Sequence, residues 1–188
     1  MRTYKKLGVL ALSVLALGAI GAGNASAAQF TASAAGSLTG SATAAQVFTT
    51  NWVTIKCVAA ETSGAIGSTS ATELHVTVLY KECRLGQFPE LLHVSPATYV
   101  FTANGEAHLK SPVTFTFTLG LCQLTIPAQS IKTFGFATSG SKLKVTPTVS
   151  TLKVTATGGG CGASTSFGSY TGPSEIERVG GGSVSFDP

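Results

Sequence analysis

Between Leu74 and Tyr80, apolar side chains recur at every second position: Leu74, Val76, Val78 and Tyr80. His75, Thr77 and the following Lys81 are polar, and Leu79 is the one apolar intruder. A period of two belongs to a β-strand with one face buried, and it excludes an amphipathic helix, whose apolar positions recur every three to four residues. The same alternation returns in Val53, Ile55 and Cys57, in Val113, Phe115, Phe117 and Leu119, and in Cys122, Leu124 and Ile126. After residue 28 no stretch carries helical periodicity. The chain is predicted to be all-β: an antiparallel β-sandwich or flattened barrel of about ten short strands.

The N-terminus reads differently. Arg2, Lys5 and Lys6 precede an uncharged apolar run from Leu7 to Ile20, and Ala25-Ser26-Ala27 offers small residues for cleavage. This is the pattern of a secretory signal peptide over residues 1–27, cut between Ala27 and Ala28. The run is shorter than the roughly 20 apolar residues of a spanning helix, so no membrane span is expected in the mature protein. Residues 28–188 are expected to form a single β-rich domain, secreted to the extracellular side. Three of the twelve Lys and Arg leave with the leader, so nine basic residues face eight acidic ones. The remaining lysines are scattered, which argues against nucleic acid as a partner.

Turn signals divide the mature chain. Ala35–Ala45 reads as a loop or weak edge strand, Val47–Ala59 as one strand, and Thr62–Ala71 as a turn-rich connection. Gly86–Pro89 marks a reversal. Ser95–Thr102 and Ser111–Thr118 echo each other around Asn104-Gly105, a two-residue hairpin signal. Lys142–Thr146 and Thr151–Thr155 share LKVT and bracket Pro147, which suggests an antiparallel pair. A transmembrane barrel also alternates faces. Against it, the expected strands are short and the outward positions carry Thr and Lys.

Four cysteines in an exported chain read as a disulfide framework. Of the three pairings, Cys57–Cys83 and Cys122–Cys161 ask least of the topology. Cys83, however, has the parity of the polar face of its strand, so the chain must twist or end there. No close C-x-x-C pair points to zinc, and no cofactor or metal is expected. His75, His93 and His108 lack the spacing of common metal motifs and read as exposed or rim residues. Glu175 and Glu177 share a strand face about 7 Å apart, which reads as a solvated edge more readily than as a glycosidase pair. There is no G-x-S-x-G elbow, and Gly158–Gly160 opens no helix that could cradle phosphate. Trp52, the only tryptophan, reads as a core or rim packing residue. Thr114, Thr116 and Thr118 form a threonine row of the kind that could meet ice or carbohydrate, although threonine is also an ordinary solvent-facing strand residue.

The segments QFTASAAGSLTGSAT, VFTTNWVTIKC, TSATELHVTVLYKEC, SPATYVFTANG and FGSYTGPSEIERVGGGSVSF together resemble a group of secreted, β-rich actinobacterial proteins of unknown function. The resemblance implies export and a two-disulfide β fold, and brings no catalytic residues. The expected function is therefore a secreted, non-enzymatic β-domain that binds or serves structurally at or outside the cell envelope. An envelope or extracellular polymer is its expected class of partner. The alternative is a small secreted hydrolase acting on envelope polymer, which would require a converging cluster of ionisable groups.

Overall fold

A computed structural model describes residues 27–86, 92–117, 122–159, 161 and 164–188. All regular structure in it is β. The strands are β1 (Gln29–Ala32), β2 (Gly36–Ala42), β3 (Gln46–Thr49), β4 (Thr54–Ile66), β5 (Ser70–Ala71), β6 (Glu73–Leu85), β7 (His93–Val94), β8 (Ala97–Thr102) and β9 (Glu106–Leu109). The second half adds β10 (Val113–Thr116), β11 (Gln123–Ile126), β12 (Gln129–Lys132), β13 (Phe134–Ser139), β14 (Lys142–Thr157), β15 (Ser164–Thr171), β16 (Ser174–Arg178) and β17 (Val184–Asp187).

Three long strands, β4, β6 and β14, run the length of the molecule and the others fill in between. β4 pairs with β6 on one side and with β3 and then β2 on the other. β3 and β2 pair in turn with β15 and β16, which lie along β14. β6 continues through β8 and β9 to β12. The far side of β14 meets β11 and β13. Because β11, β12 and β13 are one continuous segment, the path of pairing returns to its start and the sheet closes as a flattened antiparallel barrel.

Two side chains help that segment serve both neighbours. Thr133 has a positive φ of 73°, unusual for a β-branched residue. It bends the chain so that β12 turns to β9 and β13 to β14, and its hydroxyl donates to the Thr148 carbonyl at 2.7 Å. Gln129 imitates a strand: its carboxamide accepts from the Lys153 amide and donates to the Lys153 carbonyl, both at 3.0 Å.

The alternation at Leu74–Tyr80 lies inward as expected, and so does Cys83. The parity conflict is resolved by Glu82, which takes a left-handed φ of 52°. Opposite it, the register steps from Cys57–Cys83 to Ala59–Lys81 and passes over Val58 and Glu82. This irregularity turns Cys83 toward Cys57.

Five sequence expectations need correction. Val47–Ala59 is a hairpin: β3 ends at Thr49, the chain turns through Asn51 and Trp52, and β4 begins at Thr54. β4 then runs to Ile66 and β5 takes Ser70–Ala71, so most of the expected Thr62–Ala71 connection is strand. Ala35–Ala45 contains β2, which is paired on both sides. Lys142–Thr157 is one strand. Pro147 survives inside it because the Thr148 amide donates to the Thr133 carbonyl, so the proline nitrogen faces the opposite side, where Gly172-Pro173 interrupts the partner strand. The Asn104-Gly105 hairpin has a three-residue loop, since Thr102 pairs with Glu106. The reversal expected around Gln87–Pro89 lies outside the described residues.

The interior is filled by a column of ten aromatic rings. At one end Phe30 meets Phe136 edge-on at 5.0 Å and Phe186 at 5.8 Å. Phe136 passes to Phe101, and Phe101 to Phe134 and Tyr99. Tyr99 joins Tyr80 through their hydroxyls. Phe48 then touches Tyr80, stacks on Tyr170 at 4.5 Å and meets Phe115 at 5.0 Å. A small sheet of β5, β1 and β17 caps the Phe30 end.

Candidate functional site

The first candidate is inside. Gln46 is fully buried and carries the polar end of a hydroxyl chain. The Tyr170 hydroxyl donates to Gln46 Oε1 at 2.6 Å, and Tyr80 donates to Tyr170 at 3.4 Å. With Tyr80's proton so used, the 3.0 Å contact between Tyr99 and Tyr80 has Tyr99 as donor. Gln46 Nε2 completes the chain by donating to the carbonyls of Ala44 at 3.1 Å and Pro173 at 3.3 Å. These carbonyls lie where β2 breaks from β3 and β15 breaks from β16. Gln46 therefore supplies side-chain bonds where the backbone ladder lapses. Gly172 leaves it room, since a Cβ there would collide with the Gln46 carboxamide.

Beside the three phenols lies a cavity of about 20 Å³, also lined by Thr62, Phe134 and Ser174. That volume suits about one water molecule, so the barrel is not a container for an organic ligand here. Burial holds all three phenols protonated. Tyr99 is pushed up to about 12. Tyr80 is raised first by burial and then by Tyr170 and Tyr99, and Tyr170 is raised first by burial and then by Tyr99.

The outer faces carry the ionisable residues. His75 and His108 are both register partners of Val100, one on each side of it. His75 Nε2 lies 3.8 Å from Glu73, and His108 Nδ1 lies 2.8 Å from Ser130 Oγ. His93 is exposed on β7. Glu175 and Glu177 share an outer face with Lys142, whose Nζ is 2.9 Å from Glu177 and 3.9 Å from Glu175. That lysine's pKa is raised by its hydrogen bond and attraction to Glu177. Among the described residues no three His, Cys, Asp or Glu side chains converge on one point. Thr114 and Thr116 alternate with buried Val113 and Phe115. Thr118, Glu90 and Gly160 lie outside the described residues.

The cysteines pair as Cys57–Cys83 and Cys122–Cys161. The first joins direct register partners, with Cα atoms 3.8 Å apart. The second fastens the start of β11 to the region after β14, at the end opposite the cap. Ala27 and Ala28 precede β1, and the leader segment 1–26 lies outside the described residues.

The second candidate is at that opposite end. Trp52 sits in the β3–β4 turn and is 42% exposed, while Phe167 on β15 is 64% exposed. Thr50 shapes the turn: its Oγ1 accepts from the Trp52 and Val53 amides at 3.2 and 3.1 Å. Ser169 pairs with Thr49, which brings Phe167 level with Asn51. Lys153 is the register partner of Phe167 on its other side. Alternation could have placed Phe167 outward. Nothing local marks Gln46, or brings the Trp52 turn level with Phe167.

Comparison of the chain with protein-family models, with curated proteins and with solved structures finds no match in any of the three.

Proposed function

We propose that this is a secreted, non-enzymatic β-domain that binds a partner at or outside the cell envelope through its surface. The observation that carries the reading is the contrast between a ring-filled interior and the solvent-exposed aromatics at the end opposite the cap. Buried large rings are what a core requires. Exposed Trp52 and Phe167 cost solvation without adding to the core, and a binding role gives them a use. The export pattern, the two disulfides and the resemblance to secreted actinobacterial proteins support the extracellular setting. Among the described residues no helix is long and apolar enough to cross a membrane, which says nothing about strands.

The rival reading, a hydrolase of envelope polymer, draws on the His108–Ser130 contact. There Ser130 sits on Nδ1, on an open sheet face. A nucleophile–base pair also requires an orienting partner and a donor site for the oxyanion. The test is incubation of the purified protein with isolated cell envelope. Retention on the envelope without release of soluble fragments supports binding. Fragment release that is abolished by His108→Ala would replace this reading with the hydrolase.

A further inference from the structure

We infer that the end of the barrel bearing the Trp52 turn docks on the surface of an anionic phospholipid membrane. The inference rests on the binding role proposed above and names its partner.

The first observation is where positive charge is left over. Cations scattered in the sequence are gathered by the strand register. Arg84 pairs with Lys56 across β6 and β4, and Lys153 pairs with Phe167 across β14 and β15. All three cations are exposed on outward strand positions. Among the described residues the ion pairs lie at mid-length or toward the cap: Lys81 with Glu61, Lys132 with Glu106, Lys142 with Glu175 and Glu177, and His75 with Glu73. Lys56, Arg84 and Lys153 take part in none of them. Of the other described carboxylates, Asp187 belongs to the cap strand β17, and Glu82 stands near Arg84. Glu90 lies outside the described residues. The described charges thus leave an excess of cations at this end, with most carboxylates engaged elsewhere.

The second observation is that apolar rings leave the barrel at the same end. Trp52 projects from the β3–β4 turn and is 42% exposed, and Phe167 is 64% exposed. The Thr50 hydroxyl ties the turn, and the pairing of β3 with β15 brings Phe167 level with it. A membrane does not require the two rings to touch, since each enters the interface by itself. Aromatic side chains favour the boundary between headgroups and acyl chains. Lys56 stands two residues, about 7 Å, behind the start of β4. The Debye length at physiological ionic strength is about 8 Å, and the long stems of Lys and Arg extend their reach. A bilayer met by the turn is therefore within electrostatic range of Lys56 and Arg84.

The combination selects the partner. A soluble polyanion would be held by the cations and leave both rings in water. A neutral polymer would leave three cations without counter-charge. An anionic bilayer offers headgroup phosphates to the cations and an apolar phase to the rings.

Trp52 is the chain's only tryptophan, so its emission reads the docking end directly. The secreted protein is mixed with vesicles of phosphatidylcholine alone, with vesicles of phosphatidylcholine and phosphatidylglycerol in equal parts, and with soluble polyphosphate. Co-sedimentation with the anionic vesicles is expected, with Trp52 emission moving to shorter wavelength, and high salt should weaken it. Lys56→Ala and Arg84→Ala should each reduce vesicle binding about fivefold. Trp52→Ala and Phe167→Ala should each reduce it about tenfold, as transfer of an exposed ring out of water implies. These side chains are exposed, so the variants should keep the circular dichroism spectrum of the parent.

Equal binding to neutral vesicles, or binding to neither kind, overturns the inference. So does binding that survives the Trp52→Ala/Phe167→Ala double variant unchanged. Polyphosphate that binds as tightly as the anionic vesicles, without shifting the emission, would assign the cations to a soluble polyanion and reject the membrane. Retention on isolated envelope without vesicle binding rejects the lipid and keeps the proposed function. No retention on any envelope preparation would remove that function, and this inference with it.

Discussion

The Tyr170 phenol donates its proton to Gln46 Oε1 across 2.6 Å in the centre of the barrel, and Gln46 passes the chain on to two backbone carbonyls. A single glutamine thus terminates three tyrosine side chains and bridges two strand interruptions. Removing it leaves the buried Tyr170 phenol without its acceptor and takes a donor from the Ala44 carbonyl, while the Pro173 carbonyl keeps the Thr43 amide. Gln46→Ala should destabilise the fold by about 2–4 kcal/mol, since each buried unsatisfied group costs roughly 1–3 kcal/mol and a new cavity partly admits water. Urea unfolding with an unchanged m-value checks it. Gln46→Glu at neutral pH should be worse, because it buries a charge.

Gly172→Ala attacks the same junction from the backbone. The added methyl would overlap the Gln46 carboxamide, and overpacking of this kind costs about 1–3 kcal/mol. Gln46→Ala made in the Gly172→Ala background should then cost less than Gln46→Ala alone. A double-mutant cycle of midpoints measures the coupling.

The phenols also set an alkaline limit. In the unfolded chain each ionises near pH 10, while Tyr99 in the fold holds its proton to about 12 and is fully buried. Above pH 10 the unfolded state loses protons that the folded state keeps, so stability falls as pH rises. The contribution is fully present below pH 10. For Tyr99 it is about 3 kcal/mol, lost between pH 10 and 12; Tyr80 and Tyr170 act in the same direction. Tyr99→Phe should lower stability at pH 7 yet flatten its decline above pH 10. Phenolate absorbance and circular dichroism, followed together, should show ionisation coinciding with unfolding.

The disulfides give a fourth expectation. Cys57–Cys83 closes 26 residues and Cys122–Cys161 closes 39, and the loop-entropy model assigns roughly 3–4 kcal/mol to each. Cys57→Ser and Cys83→Ser should each destabilise, with the double variant little worse than either. Losses across the two bridges should roughly add. Non-reducing peptide mapping should recover the two pairs. Four free thiols in the secreted protein would remove the framework.

Much of the fold was written in local pattern. Leu74, Val76, Val78 and Tyr80 declared their face, and the misplaced parity of Cys83 declared a distortion that Glu82 supplies. The hidden parts depend on distant partners. GSLTGSA of β2 has weak strand preference, and two flanking strands hold it extended; its Gly40 lets the backbone of β16 approach closely. Pro147 suggested a break because nothing nearby shows that its nitrogen meets another break at Gly172-Pro173. Gln46 and the Pro173 carbonyl are 127 positions apart, so no sequence window could join them. The site at the Trp52 turn was half legible. Its tryptophan was visible, but Phe167 comes level with that turn only through the pairing of β3 with β15.

The continuity of residues 123–139 has a last consequence. Among the described residues, a sheet that closes through one uninterrupted segment leaves no long edge onto which a second chain could add a strand. Among the described residues the strands with a single pairing partner are short: β5 and β7 have two residues each, β12 and β17 four, and β13 six. Recruitment of a strand at the closure itself would first require the ring to open, which means giving up the Thr133 bend and the Gln129 clasp on Lys153. The topology in this way limits fibrillar self-association without relying on charge.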